Sequence, residues 1–186
     1  MTLMLAGKNI AILVANGFDE NQMTEIQRAL IKAHAESRTV APEQGVVNGW
    51  QGESWGHYFP VNAQIGTALG SDFDMLVLPG GPRGIAKLKT NAHTRRIINH
   101  FIDAGKPVAA IAEGVELLAL FGKLEERIIV APAASRAELE KAGATVIDQP
   151  QVIDGNLLTA DGTDIQGWVA EALAFFGETE AVQEAA

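Results

Sequence analysis

The fold is decided by the stretch Lys106-Pro107-Val108-Ala109-Ala110-Ile111-Ala112-Glu113-Gly114-Val115-Glu116-Leu117-Leu118. An apolar run, Val108 to Ile111, ends abruptly, and a helical spacing of apolar residues begins at Gly114. A buried strand that turns sharply into a helix predicts a nucleophile elbow, a turn that presents one reactive side chain at the edge of a sheet. The residue at this turn is Ala112, whose methyl group has no nucleophilic atom.

The rest of the chain alternates between apolar runs and helical patterns. Apolar runs predict strands at 9–15, 37–41, 74–78, 127–130 and 144–147, and a hairpin at 152–159 with Asp154-Gly155 at its turn. Helical spacing predicts helices at 20–35, 91–104, 135–142 and 163–176, the last one capped by Thr163 or Asp161. This alternation predicts an α/β fold with a doubly wound, mostly parallel sheet. We expect a single domain over residues 1–177 and a frayed acidic tail over 178–186.

Ligands of doubly wound sheets bind beyond the carboxyl ends of the strands, near the point where the strand order reverses. Three loops should therefore converge, at 17–20, 79–81 and 112–114. The sequence predicts the ligand site between these loops.

Composition excludes several classes of function. The net charge is -9, which argues against nucleic acid and against an anionic membrane surface as partners. The chain has no cysteine, so thiol catalysis, disulfides and thiolate metal sites are excluded, and the four histidines show no metal spacing. We expect no metal and no cofactor. No apolar run reaches the length of a membrane span, and the stretch before Lys8 is short for a secretory signal, so a cytoplasmic location is expected.

The segment 45–61 differs from its surroundings because four glycines alternate with aromatic residues there. We interpret it as short hairpin-like strands. Its aromatic side chains would form a surface for a partner, which we expect to be another copy of this chain. Alternatively, the segment would pack over the sheet and cover it.

The three loops and their strands resemble the ThiJ/PfpI superfamily, a class I glutamine amidotransferase-like group that includes the parkinsonism-associated deglycase. The matching pieces are 10–14 with 17–20, then 73–81, 105–111 and 154–159. The resemblance implies a flavodoxin-like sheet with helices on both faces and a homodimer or larger assembly.

The resemblance fails at the residues that carry the chemistry. The elbow of that superfamily usually reads Ala-Ile-Cys-His-Gly-Pro, and this chain has Ala112 at the cysteine position and Glu113 at the histidine position. The acidic partner of the cysteine falls on Asp19, with Glu20 as the alternative after a slip of one residue. The C-terminal domain of large-subunit catalases typically lacks the same two residues, and the elbow sequence of this chain also resembles that domain.

Asp19 and Glu113 are the remaining candidates for catalysis. Two carboxylates in one small pocket can share a proton and act as acid and base, whereas their purely structural roles would be a solvated Asp and a helix-capping Glu. Gly80 and Gly81, with Gly114 at the elbow, could offer backbone N–H groups to an anion or simply form tight turns. His57 could reach the pocket of its own or a neighbouring subunit, and Glu20 is a further candidate residue of the pocket.

Two functions follow from these residues. The first is a non-catalytic, oligomeric binding or structural protein, such as a stress-related one, with a small molecule as its ligand. The second is a small-molecule hydrolase or lyase that uses Asp19 and Glu113 in place of the thiol. The missing cysteine leaves a protease without support.

Overall fold

The computed structural model describes residues 5–121 and 124–185, with side chains up to residue 178. The strands are β1 (Asn9–Leu13), β2 (Phe18–Asp19), β3 (Glu36–Ala41), β4 (Val46–Trp50), β5 (Trp55–Pro60), β6 (Ala63–Gln64), β7 (Met75–Leu78), β8 (Val108–Ile111), β9 (Ile128–Ile129), β10 (Thr145–Val146), β11 (Gln151–Asp154) and β12 (Leu157–Ala160). The helices are α1 (Glu20–Lys32), α2 (Pro82–Thr90), α3 (Ala92–Asp103), α4 (Arg136–Lys141) and α5 (Ile165–Ala185), with 3-10 segments at Gly70–Asp72, Ala112–Phe121 and Ala133–Ser135.

Seven strands form the central sheet in the order β11-β12-β8-β7-β1-β3-β6. All neighbouring pairs are parallel except β11 and β12, which form the predicted antiparallel hairpin. The strand order reverses at β1, which has β3 on one side and β7 on the other. The doubly wound, flavodoxin-like α/β architecture is therefore confirmed, and its switch point lies where the sequence places the ligand site.

Alternate residues of the central strands enter two cores. Along β1, Ile10 and Ile12 face the layer of α1 and α5, while Ala11 and Leu13 face the layer of α2, α3 and the elbow segment. Met23 and Met75 are 0% and 2% exposed in the first of these layers. Burial on both faces explains why the strands read as continuous apolar runs.

A second, three-stranded sheet is built from β2, β4 and β5. We call the β4–β5 pair the aromatic hairpin (Val46–Pro60). Its inner face packs on the body, since Val47 is fully buried and the Phe59 ring lies 5.6 Å from the ring of Phe18. Its outer face leaves Trp55 51% and Tyr58 70% exposed. One face of the hairpin thus covers the rest of the protein, and the other face is exposed to solvent.

Helix α2 was not predicted from the sequence. Pro82 occupies its first turn, and Ile85 and Leu88 are its buried positions. Proline at the first helical position together with an i, i+3 apolar pair is a start signal that would have identified this short helix.

Helix α5 also differs from the prediction at both ends. The Asp164 carboxylate accepts the N–H of Gly167 at 2.8 Å, so Asp164, rather than Thr163 or Asp161, caps the helix. The backbone continues as helix through Ala185, so most of the predicted frayed tail is helical; Ala186 lies outside the described residues.

Two further local findings complete the fold. The β11–β12 register pairs Asp154 with Leu157, so the two turn residues are Gly155 and Asn156, one position later than predicted. Within residues 5–121 and 124–185, no helix is both long and apolar enough to cross a membrane.

Candidate functional site

The elbow is present although it carries no nucleophile. Ala112 follows the last residue of β8 with a φ of 53°, in the left-handed region that residues with a Cβ rarely occupy. The side chain is only 6% exposed. A Cβ added at Gly114 would clash with the carbonyl oxygen of Leu78, so Gly114 lets the elbow pack on the end of β7. Gly114, grouped in the sequence with the backbone donors, thus has a packing role here.

The backbone donors at the end of β7 already have acceptors. The N–H of Gly80 donates to Oε1 of Gln22 at 2.7 Å, and the N–H of Gly81 donates to Oε2 of Glu113 at 3.0 Å. The sequence interpretation treated these two N–H groups as open to a ligand anion. In the structure, side chains of the same chain occupy both, so Glu113 binds this turn.

The three predicted loops converge, as the topology requires. The N–H of Asp19 donates to the carbonyl oxygen of Gly80 at 2.9 Å, which joins the loop after β1 to the loop after β7. Glu113 then joins the loop after β7 to the elbow through its bond to Gly81. The predicted convergence is confirmed.

Asp19 is the acidic residue that faces the elbow. It caps α1, because its Oδ1 accepts the N–H of Gln22 at 3.0 Å. Burial raises the pKa of Asp19 above its ordinary value, and the charge of Glu113 raises it further, against the lowering effect of the bond from Gln22. The two carboxylates therefore lie close enough to repel each other.

Glu20 binds the aromatic hairpin. Its Oε1 accepts from Nδ1 of His57 at 2.5 Å and from the amide of Gln51 at 3.2 Å, and its Oε2 accepts the N–H of His57 at 2.8 Å. Burial pushes the pKa of Glu20 upward, but the hydrogen bonds from His57 and Gln51 outweigh burial, so the pKa is lowered. Of the two acidic residues that the sequence left open, Asp19 lines the cleft above Ala112 and Glu20 does not.

His57 does not enter the pocket of its own subunit. Its side chain is 76% exposed and is held by Glu20 on the outside of the hairpin. Neither Glu20 nor His57 is among the residues that line the cleft above Ala112. Their assignment to this pocket is therefore corrected.

The cleft above Ala112, which we call the elbow cleft, has a volume of about 390 Å³. It is lined by Asp19, Gln22, Trp50, Gly52, Gly81, Pro82, Ala112, Glu113, Pro132, Asp161 and Gly162. Three of these residues carry carboxylates, and none of them is Lys, Arg or His. No group of three His, Cys, Asp or Glu in the described part of the chain has the arrangement of a metal site. The elbow cleft is thus acidic.

Seven lining residues were not recognised as site residues in the sequence, and three of them carry polar or aromatic side chains: Gln22, Trp50 and Asp161. Gln22 lies in the first turn of α1, where a glutamine gives no signal of its contact with Gly80. Trp50 comes from the aromatic hairpin, and the guanidinium of Arg83 lies 4.1 Å from its ring centre. Asp161 follows β12, and its Oδ1 accepts from the hydroxyl of Thr163 at 2.6 Å. Its place after a parallel strand of the sheet was the one available signal.

Comparison with known proteins gives the family. The model of the DJ-1/PfpI family matches residues 8–174. General stress protein 18 of Bacillus subtilis is 32% identical over 171 residues, which cover 90% of this chain and 97% of that protein. Protein/nucleic acid deglycase 2 of Escherichia coli is 29% identical, over 91% of this chain and 98% of that protein.

A solved structure agrees with this assignment. A two-domain protein from Anabaena variabilis with DJ-1/ThiJ/PfpI-like and ferritin-like domains superposes with a TM-score of 0.84 at 25% identity. The match covers 91% of this chain and 48% of that one, so this chain spans about half of the two-domain protein. A family match over most of the chain, on the predicted sheet and elbow, leads to one conclusion: the chain belongs to the DJ-1/PfpI family.

Proposed function

We propose that this chain binds a small molecule with an ammonium or similar cationic group in the elbow cleft, and that it does not use cysteine chemistry. One observation carries the proposal. The position of the nucleophile is a methyl group, and the neighbouring N–H groups of Gly80 and Gly81 are bonded to Gln22 and Glu113. Acyl transfer needs both a nucleophile and free donors for the developing oxyanion, and this site offers neither.

The charge of the lining supports a cationic ligand. Asp19, Glu113 and Asp161 contribute carboxylates to the elbow cleft without a cationic side chain among the lining residues. Burial and, to a smaller extent, the charge of Glu113 raise the pKa of Asp19, and an ammonium group would offset both costs of the ionised carboxylate.

The test is a titration of the purified protein with ethylammonium, in which NMR chemical shifts report binding. We expect Glu113→Gln to weaken binding about ten-fold, because it removes one charge while leaving an acceptor for Gly81. Glu36→Gln is the matched control, since Glu36 is exposed on β3, outside the cleft, and should leave the affinity unchanged. Equal affinities in the two variants would contradict the proposal.

The alternative function, a hydrolase or lyase, has one specific observation in its favour. Asp19 has a raised pKa beside Glu113, as expected when one carboxyl holds a proton while the other acts as a base. The test of this alternative is an assay on glyoxal-type and amide substrates. Turnover that follows a bell-shaped pH profile and is lost in Asp19→Asn would establish the hydrolase or lyase. We expect no turnover.

We further propose that copies of this chain associate through the outer face of the aromatic hairpin. Trp55 and Tyr58 are 51% and 70% exposed there. The double variant Trp55→Ser with Tyr58→Ser should lower the mass measured by sedimentation. Ile31→Ser, at an apolar residue that is 62% exposed on α1, should not. A wild-type monomer at micromolar concentration would refute this assembly.

A further inference from the structure

A second cavity adjoins the elbow cleft, and we propose that it is a subsite for an apolar group of the same ligand. The ligand would then be an amphipathic amine, with its ammonium group at the carboxylates and its apolar part beyond Pro132. This inference rests on the proposed function, because it assumes that the cationic group lies in the elbow cleft. We call the second cavity the side cavity.

The side cavity is large and shares a wall with the elbow cleft. Its volume is about 550 Å³, larger than the 390 Å³ of the elbow cleft. It is lined by Ala131, Pro132, Ala133, Arg136, Ile147, Asp148, Gln149, Pro150, Asp161 and Thr163. Pro132 and Asp161 line both cavities. A molecule that fills the elbow cleft can therefore continue past these two residues without leaving the protein surface.

Half of the lining favours an apolar group. Alanine, proline and isoleucine supply five of the ten residues: Ala131, Pro132, Ala133, Ile147 and Pro150. The elbow cleft is more acidic, because its walls carry three carboxylates and no cation, whereas the side cavity has Asp148 and Asp161 beside Arg136. The two cavities thus differ in polarity along one path, and a ligand that matches both has a charged end and an apolar end.

Arg136 does not make the side cavity an anion site. Its guanidinium donates to the carboxylates of Glu140 at 2.9 Å and of Asp148 at 2.8 Å, and to the carbonyl oxygen of Val146. It is the single Lys, Arg or His among the residues that line the side cavity. Because two carboxylates already neutralise this charge, an acidic ligand gains little there.

Asp161 fixes where the two ends of the ligand meet. Its Oδ1 accepts from the N–H of Thr163 at 2.9 Å and from the hydroxyl of the same residue at 2.6 Å. These bonds hold the carboxylate at the boundary between the cavities. The ammonium group would lie on the side of Glu113, and the chain of carbon atoms would run over Pro132 towards Ile147.

The experiment compares ethylammonium with hexylammonium on the full chain, by NMR titration. Each fully buried methylene strengthens binding about four-fold, so four extra methylenes should give at least about ten-fold even when only part of the chain is buried. Hexanoate, with the same carbon chain and the opposite charge, should bind at least about ten-fold more weakly than hexylammonium.

The variant test uses two adjacent alanines. Ala133→Trp fills the side cavity and should bring the affinity for hexylammonium down to that for ethylammonium, with ethylammonium binding unchanged. Ala134→Trp is the matched control, since Ala134 is also exposed but lines neither cavity, and it should keep the preference for the longer amine. Thermal unfolding of both variants checks that they fold.

The outcomes separate this inference from the proposed function. Equal affinities for the two amines, or a preference that Ala133→Trp leaves unchanged, would overturn the side cavity as a subsite while the cationic site stands. If neither amine binds, the proposed function and the subsite both fail. Shifts at Ile147 and Pro150 with hexylammonium alone would support the subsite directly.

Discussion

Asp19 and Glu20 are neighbours in the chain and line one cleft together with Trp50, yet their carboxylates have different surroundings. Glu20 is only 8% exposed and accepts hydrogen bonds from His57 and Gln51 of the aromatic hairpin, and its pKa is lowered. Asp19 faces the elbow cleft opposite a second carboxylate, and its pKa is raised. Burial acts to raise both pKa values. The difference comes from the neighbours, because His57 and Gln51 lower the pKa of Glu20, whereas the charge of Glu113 adds to the rise at Asp19.

The comparison distinguishes a structural carboxylate from one that is available to a ligand. The hairpin surrounds Glu20 so closely that a Cβ added at Gly49 or Gly56 would clash with its side chain. Asp19 accepts from two backbone N–H groups of its own helix, those of Gln22 and Asn21, and it lines the cleft. We therefore expect Glu20 to matter for folding, while charge at Asp19 carries a cost that a bound cation would offset.

The largest effect should come from Glu20→Gln. The change replaces a charged acceptor with an amide whose NH₂ group would oppose a donor of His57, and hydrogen bonds to charged groups contribute about 1.5–3 kcal/mol. We expect a loss of about 2–3 kcal/mol in the free energy of unfolding at pH 7, measured by urea denaturation. Glu53→Gln, at an exposed position of the hairpin turn, should change it by less than about 0.5 kcal/mol.

The pH dependence of this effect has a definite sign. The folded state lowers the pKa of Glu20 below the ordinary 4.5, so its contribution is present above pH 4.5 and is lost as the pH falls through the folded-state pKa. The gap between wild type and Glu20→Gln should therefore close in acid. A gap that persists there would mean that shape, rather than charge, holds the hairpin.

Asp19→Asn should have a smaller effect of the opposite sign. Asparagine caps helices about as well as aspartate does, and it removes the charge that burial and Glu113 disfavour. We expect the free energy of unfolding at pH 7 to rise by about 0.5 kcal/mol, a modest gain because the side chain keeps contact with solvent.

The sign for Asp19 follows from its raised pKa. The folded state favours the protonated form, so the contribution of Asp19 to stability is fully present below pH 3.8 and is lost as the pH rises through the folded-state pKa. The gain from Asp19→Asn should accordingly appear at neutral pH and vanish in acid. A variant that is less stable than wild type at pH 7 would show that Asp19 has a partner that stabilises its charge.

The smallest effect should come from the backbone of the elbow. Ala112 has a φ of 53°, which glycine adopts freely, and relief of this strain should offset the loss of its buried methyl group. We expect Ala112→Gly to change the free energy of unfolding by less than about 0.5 kcal/mol, whereas Ala29→Gly inside α1 should cost about 1 kcal/mol. Equal losses in calorimetry would mean that the turn stores no strain.

The sheet and the convergence of its loops could be predicted from the sequence because both depend on patterns along the chain. Apolar runs mark strands that are buried on both faces, and parallel topology brings their carboxyl ends together. The contents of the elbow cleft depend on side-chain directions, which no pattern encodes. Gln22 of α1 accepts the N–H of Gly80, and Trp50 of the aromatic hairpin lines the cleft. Glu20 binds His57 of the hairpin while Asp19 lines the elbow cleft, a difference between consecutive residues that only the structure reveals.

The buried methionines have a consequence for behaviour under oxidants. Peroxide attacks thiolates and accessible thioethers, but the chain has no cysteine, and Met23 and Met75 are enclosed between the central sheet and the α1 and α5 layer. Met1 and Met4, the other two, lie outside the described residues. The lining of the elbow cleft contains no sulfur atom. Peroxide at concentrations that would convert an elbow cysteine to sulfenic or sulfinic acid should leave this cleft chemically unchanged.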